Sequence, residues 1–215
     1  YDLLNIKMKK IKIKKKNKKD KSVKWLSRHL NDEFFIKSKK LGYRSRSAFK
    51  LIQIYEKFKI HLQSAKVLDL GAAPGGWSQV SKKLSTPDSQ IFGIDILPIK
   101  PIKGIEFLKC DILEFFENKV LEHERFDIVL SDMAPNTSGH KNTDHLRIIN
   151  LVEIASEIAN KTLKKDCYFI CKIFQGGAQG KLNEDLKKNF NNIKYYKPEA
   201  SRKESTETYL IAKKK

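Results

Sequence analysis

Apolar and polar positions follow two different rhythms along the chain. Short apolar runs predict buried strands, and the longer segments between them carry apolar residues at helical spacing. The predicted strands are residues 66–70, 91–95, 105–109, 126–131, 168–174, 193–196 and 208–212. The predicted helices are residues 76–84, 112–123, 145–163 and 181–190. This alternation predicts a doubly wound α/β fold, with a seven-stranded, mostly parallel sheet, helices on both faces and ligands at the carboxyl ends of the strands.

Two more helices are predicted before the first strand. Residues 25–40 form an amphipathic pattern that Gly42 ends, and a second helix is expected to begin at Ser45. Residues 1–24 are rich in lysine, with Asp2 and Asp20 as their only acids, and we expect them to be disordered. The chain is thus interpreted as a Lys-rich arm, residues 1–24, and one domain, residues 25–215. The arm is a nucleic-acid contact, a targeting remnant or a solvated tail.

The segment VLDLGAAPGGWSQV, residues 67–80, is typical of a strand-to-helix corner that binds a ligand. Its glycines do not follow the Gly-x-Gly-x-x-Gly spacing that cradles a pyrophosphate. S-adenosylmethionine (SAM), which has a carboxylate and an ammonium but no phosphate, fits better. Asp95 ends the next strand, where an acid hydrogen-bonds ribose hydroxyls. A turn that merely connects strand to helix is the alternative, and the pairing of Asp69 with Asp95 favours the binding site.

Charged residues follow the ends of the first five predicted strands. They are Asp69, Asp95, Asp111, Asp132 and Lys172. Because such strand ends converge on one crevice, we expect several of these charges to share a pocket.

The net charge of +19 over 215 residues predicts a polyanionic partner, RNA or DNA before a membrane. No apolar stretch approaches 18 residues, so no membrane span is expected. Cys110, Cys167 and Cys171 lack metal-type spacing, which favours small core residues in a reducing, intracellular compartment. His140 and His145 are interpreted as surface residues, and no metal site is expected.

Five motifs, taken in order, resemble the FtsJ/RrmJ family of RNA ribose 2′-O-methyltransferases. They are GYRSRSAFKL (42–51), DLGAAPGGWSQV (69–80), SDMAPN (131–136), KIFQG (172–176) and SRKESTE (201–207). The resemblance covers about residues 25–212. It implies a Rossmann-like methyltransferase fold and an enzyme that uses SAM and releases S-adenosylhomocysteine. Two departures are a Lys-Lys-Asp turn at 164–166, where the family has Pro-Gly-Gly, and the long N-terminal arm.

The resemblance also implies the site residues. The catalytic tetrad falls on Lys50, Asp132, Lys172 and Glu207. Cofactor contacts fall on Asp69, Gly71, Ala72, Ala73, Pro74, Gly75, Gly76, Trp77, Asp95, Ile96, Asp111, Ile112 and Asp132. Lys172 is either the base or a charged group that orients the hydroxyl while the proton leaves through Asp132 or water. An ordinary ion pair between Lys172 and Glu207 is the alternative without catalysis.

The substrate is expected to be a uridine in large-subunit ribosomal RNA, free or in a ribosomal particle. Met133, Pro135, Asn136 and residues 197–205 resemble the bacterial and mitochondrial members that act there. Phosphate contacts are expected at Lys39, Lys40, Arg44, Arg46, Arg202 and Lys203. A tRNA or mRNA-cap 2′-O-methyltransferase and a catalytically silent RNA-binding protein are the alternatives. We expect a monomer, with mitochondrion or another organelle, cytoplasm and nucleolus all open as compartments.

Overall fold

The computed structural model describes residues 31–117, 123–135, 141–174 and 179–215, without the side chains of residues 141–145 and 179–181. Several sequence predictions lie outside these residues: the Lys-rich arm, the first part of the helix predicted from Trp25, Asn136, His140, Gln175 and Gly176. The side chain of His145 also lies outside them.

Seven strands form a single sheet in the order β3-β2-β1-β4-β5-β7-β6. Their bounds are β1 Lys66–Leu70, β2 Gln90–Asp95, β3 Glu106–Lys109, β4 Phe126–Ser131, β5 Leu163–Phe174, β6 Phe190–Tyr196 and β7 Glu207–Lys214. The pairs among β1 to β5 are parallel, whereas β7 runs antiparallel to both of its neighbours, β5 and β6. The predicted mostly parallel sheet of seven strands is confirmed.

Six helices connect or precede these strands in the described part of the chain. They are α1 Glu33–Lys40, α2 Ala48–Phe58, α3 Gly76–Leu84, α4 Ile112–Glu117, α5 Lys141–Thr162 and α6 Gln179–Asn189. The predicted bounds of β1, α3 and β4 match those observed.

Residues 31–32 are not helical, although they lie within the helix predicted over residues 25–40, and the second helix was predicted to begin too early. The first helix begins at Glu33 because Asp32 is its N-cap, with its carboxylate accepting a hydrogen bond from Phe35 N at 3.1 Å. The second begins at Ala48, after a turn in which Ala48 N donates to Ser45 O at 3.3 Å. Residues 44–47 are therefore free to contact other segments through their side chains.

Strand β5 begins five residues earlier than predicted and includes the positions interpreted as a surface turn. Leu163 pairs with Phe126 of β4, and Lys164 Nζ donates to Asp127 Oδ1 at 2.6 Å. Asp166 has a φ of 60°, so the strand is irregular at this position. The Lys-Lys-Asp segment is thus an exposed irregularity between the pairs Phe126–Leu163 and Ile128–Tyr168.

The core has two layers, one on each face of the sheet. Alternation along β1 shows the division, since Leu68 and Leu70 face the layer under α5, whereas Val67 faces the layer under α2 and α3. Helices on both faces are therefore confirmed. Within the described residues, no helix is long and apolar enough to cross a membrane.

The three cysteines differ in burial, although all are free thiols. Cys171 is fully buried, and burial raises the pKa of its thiol to about 12. Cys110 and Cys167 are partly exposed and pack at the edge of the core. The prediction of small core residues is confirmed for Cys171, and the other two are partly buried at the edge of the core.

Phe169 should be a major contributor to the free energy of unfolding. Its ring is fully buried in β5 and stacks on Phe190 with centroids 5.4 Å apart. We expect Phe169→Ala to cost about 3–5 kcal/mol in a urea titration, because it removes apolar contacts and leaves a cavity. Leu84→Ala is the control: this side chain is 49% exposed, and we expect a loss within about 0.5 kcal/mol. Equal losses in the two variants would contradict this core assignment.

Candidate active site

A cavity of about 560 Å³ opens at the carboxyl ends of β1, β2, β3 and β4. Its lining comes from the turn after β1, the segments after the other three strands, and one side of α5. The lining residues are Gly71, Ala73, Ile94, Asp95, Ile96, Leu97, Cys110, Asp111, Ile112, Asp132, Met133, Ala134, Pro135, Arg147, Asn150 and Leu151. Its position is the one that doubly wound sheets use for ligands, and its size suits a small organic molecule.

The turn after β1 is held against β2 by backbone hydrogen bonds. Gly71 N and Ala72 N both donate to Ile94 O, at 2.9 and 3.0 Å. Gly71 has a φ of +73°, and a Cβ at this position would overlap the Met133 side chain. Glycine is therefore required here both by backbone conformation and by the close approach of the segment after β4.

Asp95 joins two walls of the cavity. Its Oδ2 accepts a hydrogen bond from Ala73 N and its Oδ1 accepts one from Leu97 N, each at 2.8 Å. Each carboxylate oxygen still has a lone pair for a ligand hydroxyl. Asp111 directly precedes α4, after the neighbouring strand β3, and its Oδ1 accepts from Leu113 N at 2.8 Å. Both acids line the cavity, as do the predicted neighbours Ile96 and Ile112.

Several predicted cofactor residues do not line the cavity: Asp69, Ala72, Pro74, Gly75, Gly76 and Trp77. Asp69 is buried on the opposite side of the turn, where its Oδ2 accepts a hydrogen bond from Ser78 Oγ at 2.5 Å. The indole of Trp77 donates from Nε1 to Ser47 O at 2.9 Å. These two side chains therefore fix α3 to β1 and to the segment before α2, and they do not contact the cavity.

The four tetrad residues form two ion pairs at the strand ends beside the cavity. Lys172 Nζ donates to Asp132 Oδ1 at 3.0 Å and to the Asp132 carbonyl oxygen at 2.9 Å. Lys50 Nζ lies 2.6 Å from Glu207 Oε1. The alternative in which Lys172 pairs with Glu207 is wrong, because each residue has a different partner. Three of the four side chains are buried, and Asp132 also lines the cavity.

Tyr209 connects the two ion pairs, and sequence analysis did not identify it. Its hydroxyl donates to Asp132 Oδ1 at 2.9 Å, and Lys50 Nζ lies 5.7 Å from the ring centroid. The β5–β7 register pairs Tyr209 with Lys172, which brings the two side chains to one face of the sheet. Burial, together with the charge of Asp132, raises the pKa of Tyr209 well above 10, so its phenol is a neutral donor. Its position two residues after Glu207 on a strand is the pattern that could have revealed it.

The six predicted phosphate contacts divide into two groups. Lys39, Lys40 and Lys203 are exposed. The three arginines make contacts within the protein: Arg46 Nη1 lies 2.9 Å from Asp32 Oδ2, Arg202 Nε lies 3.7 Å from the same oxygen, and Arg44 donates to backbone carbonyls. Burial lowers the pKa of Arg46, against the charge of Asp32. The three lysines are therefore exposed to a partner, whereas Arg44 and Arg46 hydrogen-bond within the protein and Arg202 is partly exposed beside Asp32.

The α5 side of the cavity was also missed from sequence. Arg147, Asn150 and Leu151 follow one another at helical spacing of three and four residues, which puts them on one face of α5. The spacing shows that the three residues share a face of the helix. It does not show that this face borders the cavity.

The lining suits SAM. The Asp95 carboxylate stands where ribose hydroxyls are expected, and Asp95 and Asp111 place negative charge on the wall, which favours a sulfonium, whereas Lys172 balances the charge of Asp132. Among the residues that the structure describes, no group of three His, Cys, Asp or Glu side chains is placed to hold a metal ion.

Asp69 should make stability depend on pH. Burial raises the pKa of its carboxyl from 3.8 to about 7, although the hydrogen bond from Ser78 opposes this. The folded protein then binds this proton more tightly than the unfolded chain, so stability is lost as pH rises from about 4 through 7. We expect the free energy of unfolding of Asp69→Asn, relative to that of the parent, to increase with pH over that range and to stay constant above it. Urea titrations at several pH values test this, and a flat difference would contradict it.

Comparison with known proteins assigns the chain to a family. Residues 43–215 match FtsJ-like methyltransferases. Two relatives named ribosomal RNA large subunit methyltransferase E, from Rickettsia typhi and Rickettsia akari, are 47% and 49% identical over 87% of this chain and 86% of their own. The crystal structure of a ribosomal RNA methyltransferase from Plasmodium falciparum superposes with a TM-score of 0.67 at 28% identity, covering 80% of this chain and 98% of that one. Methanococcus jannaschii fibrillarin, at 15% identity and a TM-score of 0.53, shares the fold. The chain belongs to the FtsJ-like methyltransferase family.

Proposed function

We propose that this methyltransferase uses SAM to methylate a ribose 2′-hydroxyl of RNA, at a uridine of large-subunit ribosomal RNA. The observation that carries the proposal is the position of Asp132, which lines the cofactor cavity and also pairs with Lys172. One carboxylate thus borders both the methyl donor and the group that acts on the acceptor.

Residues on the cavity walls would hold the cofactor. Asp95 would accept hydrogen bonds from the ribose hydroxyls, and Asp111 lies where the adenine edge is expected. When bound, SAM supplies an electrophilic methyl group. Since this transfer is an in-line displacement, the main task of the protein is to align donor and acceptor.

Lys172 is the residue proposed to act on the acceptor hydroxyl. Its Nζ donates to two oxygens of Asp132, an arrangement that suits a charged ammonium. We therefore favour the second of the two roles considered from sequence: Lys172 orients the hydroxyl and stabilises its developing negative charge, while the proton leaves to Asp132 or water. Glu207 accepts a hydrogen bond from Ser201 Oγ at 2.8 Å and pairs with Lys50. Its proposed role is to hold Lys50 in position.

Charge and relatives support the choice of substrate. A net charge of +19 favours a large polyanion, and Lys39, Lys40 and Lys203 are exposed for phosphate contacts. The Rickettsia relatives are named for large-subunit ribosomal RNA. We infer that the same RNA is the substrate here.

The cavity and the tetrad both come from one chain, which supports a monomeric enzyme. The three free cysteines support an intracellular, reducing compartment. Resemblance to both bacterial and mitochondrial members keeps cytoplasm and organelle as the alternatives.

The direct test is to map the nucleotide that is methylated. Purified protein and isotope-labelled SAM are incubated with large-subunit ribosomal RNA, large subunits, tRNA or capped RNA. We expect 2′-O-methylation of one uridine in the ribosomal RNA. Lys172→Ala should lower kcat by about 10²-fold or more and leave SAM affinity, measured by calorimetry, nearly unchanged. Lys194→Ala is the matched control, because this lysine is exposed on β6 and should retain parental activity.

The outcomes of this experiment separate the candidates. Methylation of tRNA or of capped RNA instead of ribosomal RNA would refute the proposed substrate. RNA binding without any methyl transfer would identify a catalytically silent RNA-binding protein. Substantial turnover by Lys172→Ala would refute the proposed role of this lysine.

The Lys-rich arm, residues 1–24, is proposed to contact RNA. Each lysine that neutralises a phosphate releases counterions, which steepens the salt dependence of affinity by about 0.7–0.9 logarithmic units per contact. We expect deletion of the arm to weaken RNA binding and flatten the salt slope, while SAM affinity and the methylated nucleotide stay the same. Plots of log affinity against log salt for the two forms test this, and equal slopes would identify a targeting remnant or an idle tail.

A further inference from the structure

The guanidinium of Arg44 joins two segments that form walls of the cofactor cavity. Nη1 donates to Pro74 O at 3.2 Å and to Lys100 O at 2.5 Å, and Nη2 donates to Pro101 O at 2.8 Å. Pro74 directly follows Ala73, which lines the cavity, and residues 100–101 lie in the middle of the β2–β3 connection that begins with the lining residues Ile96 and Leu97. Arg44 therefore fixes one wall against the other.

The two wall segments are also joined at the cavity itself. Asp95 accepts hydrogen bonds from Ala73 N on one side and from Leu97 N on the other, and Gly71 N and Ala72 N donate to Ile94 O. Arg44 adds a connection further along both segments, at Pro74 and at residues 100–101. Connections at both places restrain the distance and the angle between the walls.

Arg44 is itself held in place before any ligand arrives. Its backbone N donates to Gln79 Oε1 at 3.0 Å, and Gln79 Nε2 donates to Gly42 O at 2.8 Å. Its side chain packs on Gly75, where a Cβ would lie 3.0 Å from Nη1 and 3.3 Å from Cδ. The guanidinium is thus preorganised, and its contacts require little loss of side-chain entropy.

Only arginine suits this arrangement of acceptors. Three carbonyl oxygens on two segments match the planar fork of a guanidinium, whereas the single ammonium of lysine cannot reach them with the same geometry. A phosphate contact, in contrast, can be made by either side chain as a point charge. This difference provides the basis of a test.

We propose that Arg44 is a positioning residue for the cofactor: it sets the width of the cavity by holding residues 100–101 against the turn at 71–75, and it is not a phosphate contact. The inference rests on the proposed function only in that this cavity receives SAM. It assigns the expected RNA-binding role to the exposed lysines instead.

The test compares Arg44→Ala and Arg44→Lys with the parent enzyme. We expect both variants to raise KM for SAM, and the calorimetric Kd for S-adenosylhomocysteine, by about ten-fold or more, the effect of losing a hydrogen bond to a charged donor. KM for RNA, the salt slope of RNA affinity, and kcat at saturating SAM should stay at parental values. A merely structural role would not separate the two Michaelis constants in this way.

Lys39→Ala and Lys203→Ala are the matched controls, since both remove a neighbouring exposed cation. They should show the reverse pattern, with a flatter salt slope for RNA and unchanged SAM affinity. If Arg44→Lys behaves like the parent, or if Arg44→Ala loses RNA affinity and keeps SAM affinity, the proposal is overturned.

A second variant covers the case in which Arg44 variants do not fold, as judged by circular dichroism. Gln79→Ala removes the two hydrogen bonds that hold Gly42 and Arg44, so it should also raise KM for SAM selectively; unchanged SAM affinity would overturn the proposal. A parent that binds SAM but methylates no RNA would refute the proposed function, and calorimetry would still test Arg44. A parent that does not bind SAM would overturn both.

Discussion

Asp132 Oδ1 accepts hydrogen bonds from two donors on neighbouring strands, Lys172 Nζ of β5 and Tyr209 OH of β7. This convergence depends on β7 lying antiparallel beside β5 in the register that pairs Lys172 with Tyr209. A shift of one residue would turn Tyr209 and Glu207 to the other face of the sheet. Asp132 would then keep Lys172 but lose the Tyr209 donor, and Lys50 would lose Glu207, which leaves a buried charge unpaired at a cost of several kcal/mol.

The tetrad is best described as two neutral pairs joined by a neutral phenol. Each lysine has its own carboxylate, so two buried cations lie near each other without strong repulsion. Because the pairs add no net charge, the strong positive charge of the protein resides elsewhere, including the exposed lysines of α1 and of the segment before β7. The groups proposed to attract a polyanion and those proposed to orient its hydroxyl are therefore separate.

The sequence predicted the sheet, the helices on both faces and the strand ends that carry Asp95, Asp111 and Asp132. These predictions succeed because alternation and the convergence of strand ends are general properties of the fold. Other features depend on individual contacts. The N-cap at Asp32 starts α1 at Glu33, within the segment predicted as one helix, and Asp69 is buried with a hydrogen bond from Ser78. Likewise, charge alone does not reveal whether an arginine such as Arg44 faces solvent or three carbonyls of its own chain.

The α5 wall has a consequence for selective inhibition. Arg147, Asn150 and Leu151 border the cavity proposed for the cofactor, yet none of them belongs to the ion pairs proposed to act on the acceptor. Nucleoside analogues that contact only Asp95 and Asp111 exploit features that many cofactor sites of this fold share. An inhibitor that extends toward α5 would instead contact side chains that have no part in the proposed methyl transfer. Selectivity between related enzymes is therefore best sought along this wall, where drug resistance would also arise at the least catalytic cost.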